Sequence, residues 1–140
     1  MKKLLLFGLL LFAGFNLSAQ QKVKSQFLLI IRFKSDFKPA SDDVVKTNIK
    51  HWQDYMGNLA QSGTLVSGYR PTDQGLTISG TDKKVNPTPY VANNELVSSV
   101  MVINAVDMDA AKAIADKCPV FEFGGSVEVR AMLNTAGKQQ

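Results

Sequence analysis

The last third of the chain narrows the choice of fold most. Residues 97–106 read VSSVMVINAV, an apolar strand, and residues 107–118 read DMDAAKAIADKC, a short Ala-rich helix. Residues 126–133, SVEVRAML, form a closing strand reached through the diglycine Gly124-Gly125. Strand, helix and strand in this order make a β-α-β unit with a glycine hinge, where the hinge needs a positive φ or a close backbone approach. In the closing strand Val127, Val129, Ala131 and Leu133 alternate with Ser126, Glu128, Arg130 and Met132. One face is therefore apolar and the other carries charge.

The upstream half completes the pattern. Residues 26–33 (QFLLIIRF) are apolar at consecutive positions, as in a central strand covered on both sides. Ser41 is placed to cap a helix, with Asp42 and Asp43 in its first turn, where the helix dipole favours negative charge. Val45, Ile49, Trp52, Met56 and Leu59 recur at steps of three and four, which predicts an amphipathic helix to about Ser62, stopped by Gly63. Residues 64–69 and 75–79 read as the second and third strands of a meander, turned by Arg70-Pro71-Thr72-Asp73. Residues 80–94, with Pro87 and Pro89, predict a loop holding at most a short strand at 84–86.

This order predicts an α+β fold, a ferredoxin-like β-α-β-β-β-α-β domain with an antiparallel sheet and two helices on one face. Phe27, Leu29 and Ile31 then pack under the helices, while Leu28 and Ile30 point away with Val100 and Val102 or with Met101 and Ile103. An apolar sheet face that no helix covers predicts pairing with a second copy, giving a dimeric α+β barrel.

The N-terminus reads as an export signal. Lys2 and Lys3 precede an apolar run from Leu4 to Phe15 and the small-residue site Leu17-Ser18-Ala19, so residues 1–19 are expected to be removed. A flexible leader over 20–25, a domain over 26–133 and a flexible tail over 134–140 follow, in a secreted or periplasmic protein with no stable membrane insertion. The chain has 16 Lys and Arg against 12 Asp and Glu, and two of the basic residues leave with the signal. The remaining basic residues are scattered, so there is no electrostatic footprint for nucleic acid. Cys118, the only cysteine, has no internal partner and is expected to be buried at the end of its helix.

The ending CPVFEFGGSVEVR, from Cys118 to Arg130, the helix start at Asp107, Asp109, Ala110 and Ala111, and the junction from Leu59 to Gly68 together carry a resemblance to a known family. Over residues 26–133 the chain resembles the YCII-related superfamily, and within it the DGPF branch of small dimeric α+β barrels. The family's V-x-D-G-P-F-x-E-x-K-E motif falls on Val85 to Glu95, where only Val85, Pro89 and Glu95 keep their identity. Its aspartate position is Pro87 and its first glutamate position is Ala92. The resemblance implies small-molecule chemistry in some members, with a helix histidine and an aspartate as the suspected acid–base pair. The histidine position falls on Trp52, and the chain's single histidine, His51, stands one place earlier.

Residue types yield a short set of candidates. His51 is the candidate acid–base residue, and its rotation of about 100° from Trp52 on a helix sets it off the apolar stripe. Trp52, Tyr55, Tyr69 and Tyr90 are candidates to line an apolar ligand pocket, although Trp52 also fits the helix core. Arg32 and Arg130 are candidates for anion recognition or for pairing with Glu122 and Glu128. One histidine and one cysteine without an acidic cluster provide no metal site, and no phosphate loop or triad motif implies a cofactor. The expected function is binding of a small apolar or carboxylated ligand in a cleft between the Pro-rich loop and the first helix. A small isomerase or lyase using His51 and a non-catalytic interaction protein of the cell envelope are the alternatives.

Overall fold

The computed structural model describes residues 24–133, so the expected signal segment 1–19, residues 20–23 of the leader and the tail 134–140 lie outside the described residues. Ser25, placed in the leader by the sequence, begins the first strand. The elements are β1 (Ser25–Lys34), α1 (Asp42–Gln61), β2 (Leu65–Tyr69), β3 (Thr77–Ser79), β4 (Lys84–Asn86), β5 (Val91–Ala92), β6 (Glu95–Ala105), α2 (Met108–Ala115) and β7 (Ser126–Ala131), with a 3₁₀ helix at Pro119–Phe123.

The main sheet is antiparallel in the order β2-β6-β1-β7, with β5 paired to the start of β6. This is the ferredoxin-like α+β arrangement. Register sets Leu29 opposite Met101 and Val129, and Phe27 opposite Ile103 and Ala131. Phe27, Leu29, Ile31, Met101, Ile103 and Ala105 are buried in one core with Tyr55 and Leu59 of α1 and Ala111 and Ala115 of α2. Both helices thus cover the same sheet face. Leu28, Ile30, Val100 and Val102 occupy the other, only half-buried. Of the two far-face pairs open to the sequence, Val100 and Val102 is the one adopted.

Local chemistry explains the element ends. Ser41 caps α1, its hydroxyl accepting the Val44 amide at 3.4 Å, and Gly63 beyond the helix takes a φ of +64°. The Asp107 carboxylate accepts the Ala110 amide at 2.9 Å to open α2. That helix stops at Ala115 rather than at Cys118, because Pro119 disfavours helical backbone just before it. The two hinge glycines divide the work: Gly124 adopts φ +67°, and a Cβ at Gly125 would collide with the Arg32 carbonyl and the Val120 side chain.

Three expectations are corrected. The strand over 75–79 shortens to β3 and pairs only with β4, in a separate hairpin rather than in the main sheet. Pro71 and Gly75 break the path from β2, and the hairpin leaves Leu76, Ile78 and Val85 exposed. The excursion over 80–94 contains the short strand allowed for at 84–86, as β4, and also β5, which was not expected, turned by Lys83, Asn93 and Asn94 at positive φ. The helix stripe is also rotated: α1 buries Asn48, Tyr55 and Leu59, while Ile49 is 50% exposed.

Candidate functional site

The residues displaced from the core build a cleft. Val45, Ile49, Trp52 and Met56 of α1 line one wall of a half-open apolar cavity of about 640 Å³, faced by Phe33 at the end of β1, Ser98 and Ser99 of β6, and Phe37 and Phe123. Phe37 stacks on Phe123 with ring centroids 4.6 Å apart, and Phe33 stands 6.4 and 6.3 Å from the two. Trp52 meets Tyr55 edge-to-face at 6.0 Å, which joins the cleft wall to the core.

The hollow has a local cause. The pairing of β1 with β6 slips between Ile31 and Arg32, with Ile31 opposite Ser99 and Arg32 opposite Val97, so Ser98 is the extra residue of a β-bulge. Its hydroxyl donates to the Ile31 carbonyl at 3.3 Å, and that of Ser99 donates to the Ser98 carbonyl at 2.7 Å. Two small polar side chains therefore stand where the strand would otherwise send larger apolar ones toward α1.

A second site lies on the other flank of α1. Nδ1 of His51 is 2.8 Å from Oε1 of Glu122 in the 3₁₀ helix, and Asn48 donates from Nδ2 to Oε2 of Glu122 at 2.8 Å and to the Pro119 carbonyl at 3.0 Å. The Asn48 hydrogen bond, helped by His51 and opposed by partial burial, holds the Glu122 carboxyl below the usual carboxylate range. The pair borders a second cleft with Asp54, Tyr55, Asn58 and Lys117.

The aromatic candidates are not gathered into one pocket. Trp52 lines the apolar cleft. Tyr55 is buried and donates to the Ile114 carbonyl at 3.2 Å, and burial pushes its phenol above its ordinary pKa, with Cys118 adding to the shift. Tyr69 is 70% exposed and shares the far sheet face with its register partner Val100. Tyr90 is 71% exposed and lines a neighbouring cleft beneath the β3–β4 hairpin. The single cleft expected between α1 and the Pro-rich loop is thus two adjacent ones, sharing Phe33, Arg70 and Ser98.

The arginine candidates meet on one carboxylate. Arg32 donates to Glu128 at 2.7 Å, and Nε of Arg130 stands 3.7 Å from the other oxygen. Glu122, the alternative partner, is held by His51 and Asn48 instead. Cys118 is buried, and loss of solvent pushes its thiol up to about 11.

Sequence reasoning missed Phe33, Phe37, Phe123, Ser98, Ser99 and Arg70 as site residues. A signal was present for two of them: Ser98-Ser99 interrupts the apolar alternation of residues 97–106. The Phe residues carried none, because they are brought together by the fold.

The profile described as the YCII-related domain matches residues 26–135. No curated protein matches the chain. Among solved structures, 5-chloro-2-hydroxyhydroquinone dehydrochlorinase (TftG) from Burkholderia phenoliruptrix, in complex with 2,5-dihydroxybenzoquinone, is similar at a TM-score of 0.47 and 16% identity, over 79% of this chain and 96% of that one.

Proposed function

The chain belongs to the YCII-related family, and we propose that it binds a small apolar, ring-bearing ligand in the cleft between α1 and the bulged end of the sheet. The observation that carries this reading is the cavity of about 640 Å³ walled by Trp52 and three packed phenylalanines. Concave apolar surface with a few polar groups is what small ligands bury themselves in. Trp52 is the only tryptophan of the chain, so its single indole signal reports on the site directly. Ring-sized aromatic fragments should shift that signal in a protein-observed NMR titration. Fragments that leave it unmoved at millimolar concentration, or that bind only elsewhere, overturn the reading.

A second reading is favoured by the imidazole–carboxylate pair. Glu122 fixes one ring nitrogen of His51 and leaves the other for proton transfer, as a small isomerase or lyase requires. Replacing His51 by Gln would abolish such an activity and leave fragment binding at Trp52 intact. Use of the domain as a support for partners in the cell envelope is the reading left if both tests fail.

The proposed setting is outside the cytoplasm, after removal of residues 1–19, and as a homodimer. What supports the dimer is the uncovered face bearing Leu28, Ile30, Val100 and Val102. Pairing two such faces would bury on the order of 1,600 Å². Ile30→Asp should then give monomers in light scattering, because it would bury an unpaired carboxylate. A wild-type chain that is monomeric at micromolar concentration sinks this assembly.

A further inference from the structure

We infer that the ligand of the apolar cleft is an aromatic or cyclic monocarboxylate, held at its acid group by Arg70; this rests on the binding reading given above. Arg70 is the one charged residue among those lining the cleft. Of the other polar groups there, Gln53 is a neutral amide, and Asn48, Ser98 and Ser99 are committed. Asn48 spends its amide donors on Pro119 and Glu122, and the hydroxyls of Ser98 and Ser99 donate to backbone carbonyls. Arg70 makes no hydrogen bond or ion pair with any described residue. The two arginines expected to bind an anion are engaged instead: both face Glu128 on the opposite side of the sheet.

A free guanidinium at the mouth of an aromatic-walled cleft selects for shape and charge together. The walls take the ring, and the fork of N–H donors takes a planar carboxylate in two parallel hydrogen bonds. Lys34, the nearest other basic residue, is paired with Glu95 at 3.0 Å, and a single free cation favours one negative charge over a phosphate dianion. Arg70 also borders the neighbouring cleft beneath the hairpin, where Lys34 and Asp73 add opposite charges. An acid group held by Arg70 at the junction of the two clefts therefore has its ring directed into the aromatic one.

The test compares naphthalene-2-carboxylate with 2-naphthamide, close in shape and differing in charge, on the full domain. Binding is read by calorimetry and by the Trp52 indole signal. The acid should bind the wild type about tenfold more tightly than the amide, a preference that shrinks as salt is raised. Arg70→Gln should lower the acid to the affinity of the amide and leave the amide unchanged, while Arg32→Gln should change neither. An acid preference that survives Arg70→Gln, or equal binding of the two probes to the wild type, overturns the assignment of Arg70 and leaves the cleft as a binding site. Failure of both probes to perturb Trp52 overturns the cleft reading and this assignment with it.

Discussion

The helix-covered face of the sheet has two ends that differ in how they are filled. At one end Phe27, Leu29, Met101, Ile103 and Ala105 are closed over by Tyr55, Leu59, Ala111, Ala115, Cys118 and Val120, all buried. At the other, Phe33, Ser98 and Ser99 face Ile49, Trp52 and Met56 across open space. One helix spans both ends, so the difference does not come from its position alone. It comes from side-chain volume in register: apolar residues reach α1 from one half of β6, and two serines and a bulge fall short of it from the other. A cavity in a small domain can thus be made by shortening two residues, without distorting the helix above them.

The largest test of this contrast is a truncation at each end. Ile103→Ala should cost about 2–5 kcal/mol, since it opens a cavity in a fully packed site. Ile49→Ala should cost under about 1 kcal/mol, because its half-exposed side chain leaves no sealed void. Both are read from urea denaturation midpoints, and equal losses would mean that the cleft end is as tightly packed as the core.

Next in size is the bracket that ties α1 to the 3₁₀ helix. Asn48→Ala removes two hydrogen bonds and leaves the Pro119 carbonyl without its donor, at an expected cost of about 1–3 kcal/mol. A change within error would show that water replaces the amide fully. Filling the hollow should cost less. Ser99→Leu is expected to alter stability by under about 1 kcal/mol, against the ~1–3 kcal/mol typical of overpacking a closed core, while abolishing fragment shifts at Trp52. Strong destabilisation would place Ser99 in a packed site rather than at the edge of a cavity.

The smallest effect concerns acidity. The carboxyl of Glu122 is held below its ordinary pKa in the fold, so its contribution is complete above the unfolded carboxylate range and is lost as pH falls through the folded value. The group is partly exposed, and solvent screening keeps the effect under about 1 kcal/mol. Glu122→Gln should lower stability at neutral pH by up to that amount and leave it little changed at a pH below the folded carboxyl value, which flattens the acid limb of the profile. An unaltered limb would show that the His51 and Asn48 contacts do not persist in solution.

Much of this architecture was legible because it rests on local signals. Alternation in residues 126–131, the Ser41 cap and the Gly63 stop each depend on neighbours a few positions away, and the structure retains them. The rotation of α1 was not legible, since Tyr55 and Trp52 are both large and amphipathic, and either can face a core. What turned Tyr55 inward was a distant acceptor, the Ile114 carbonyl, together with Asn48 bonding to Pro119.

The sequence by itself determined the main β-α-β and β-α-β framework and the ferredoxin-like pairing it demands, because periodicity, caps and glycines act over short distances, and the ending from Cys118 to Arg130 carried the resemblance to the family. Only the tertiary structure decided the site. It set Phe33 beside Phe123, placed Glu122 on His51 rather than on an arginine, consumed Arg32 and Arg130 on Glu128, and left Arg70 open at the cleft. Those outcomes depend on strand register and on which partner a long side chain reaches first, and neither is written in the spacing of residues along the chain.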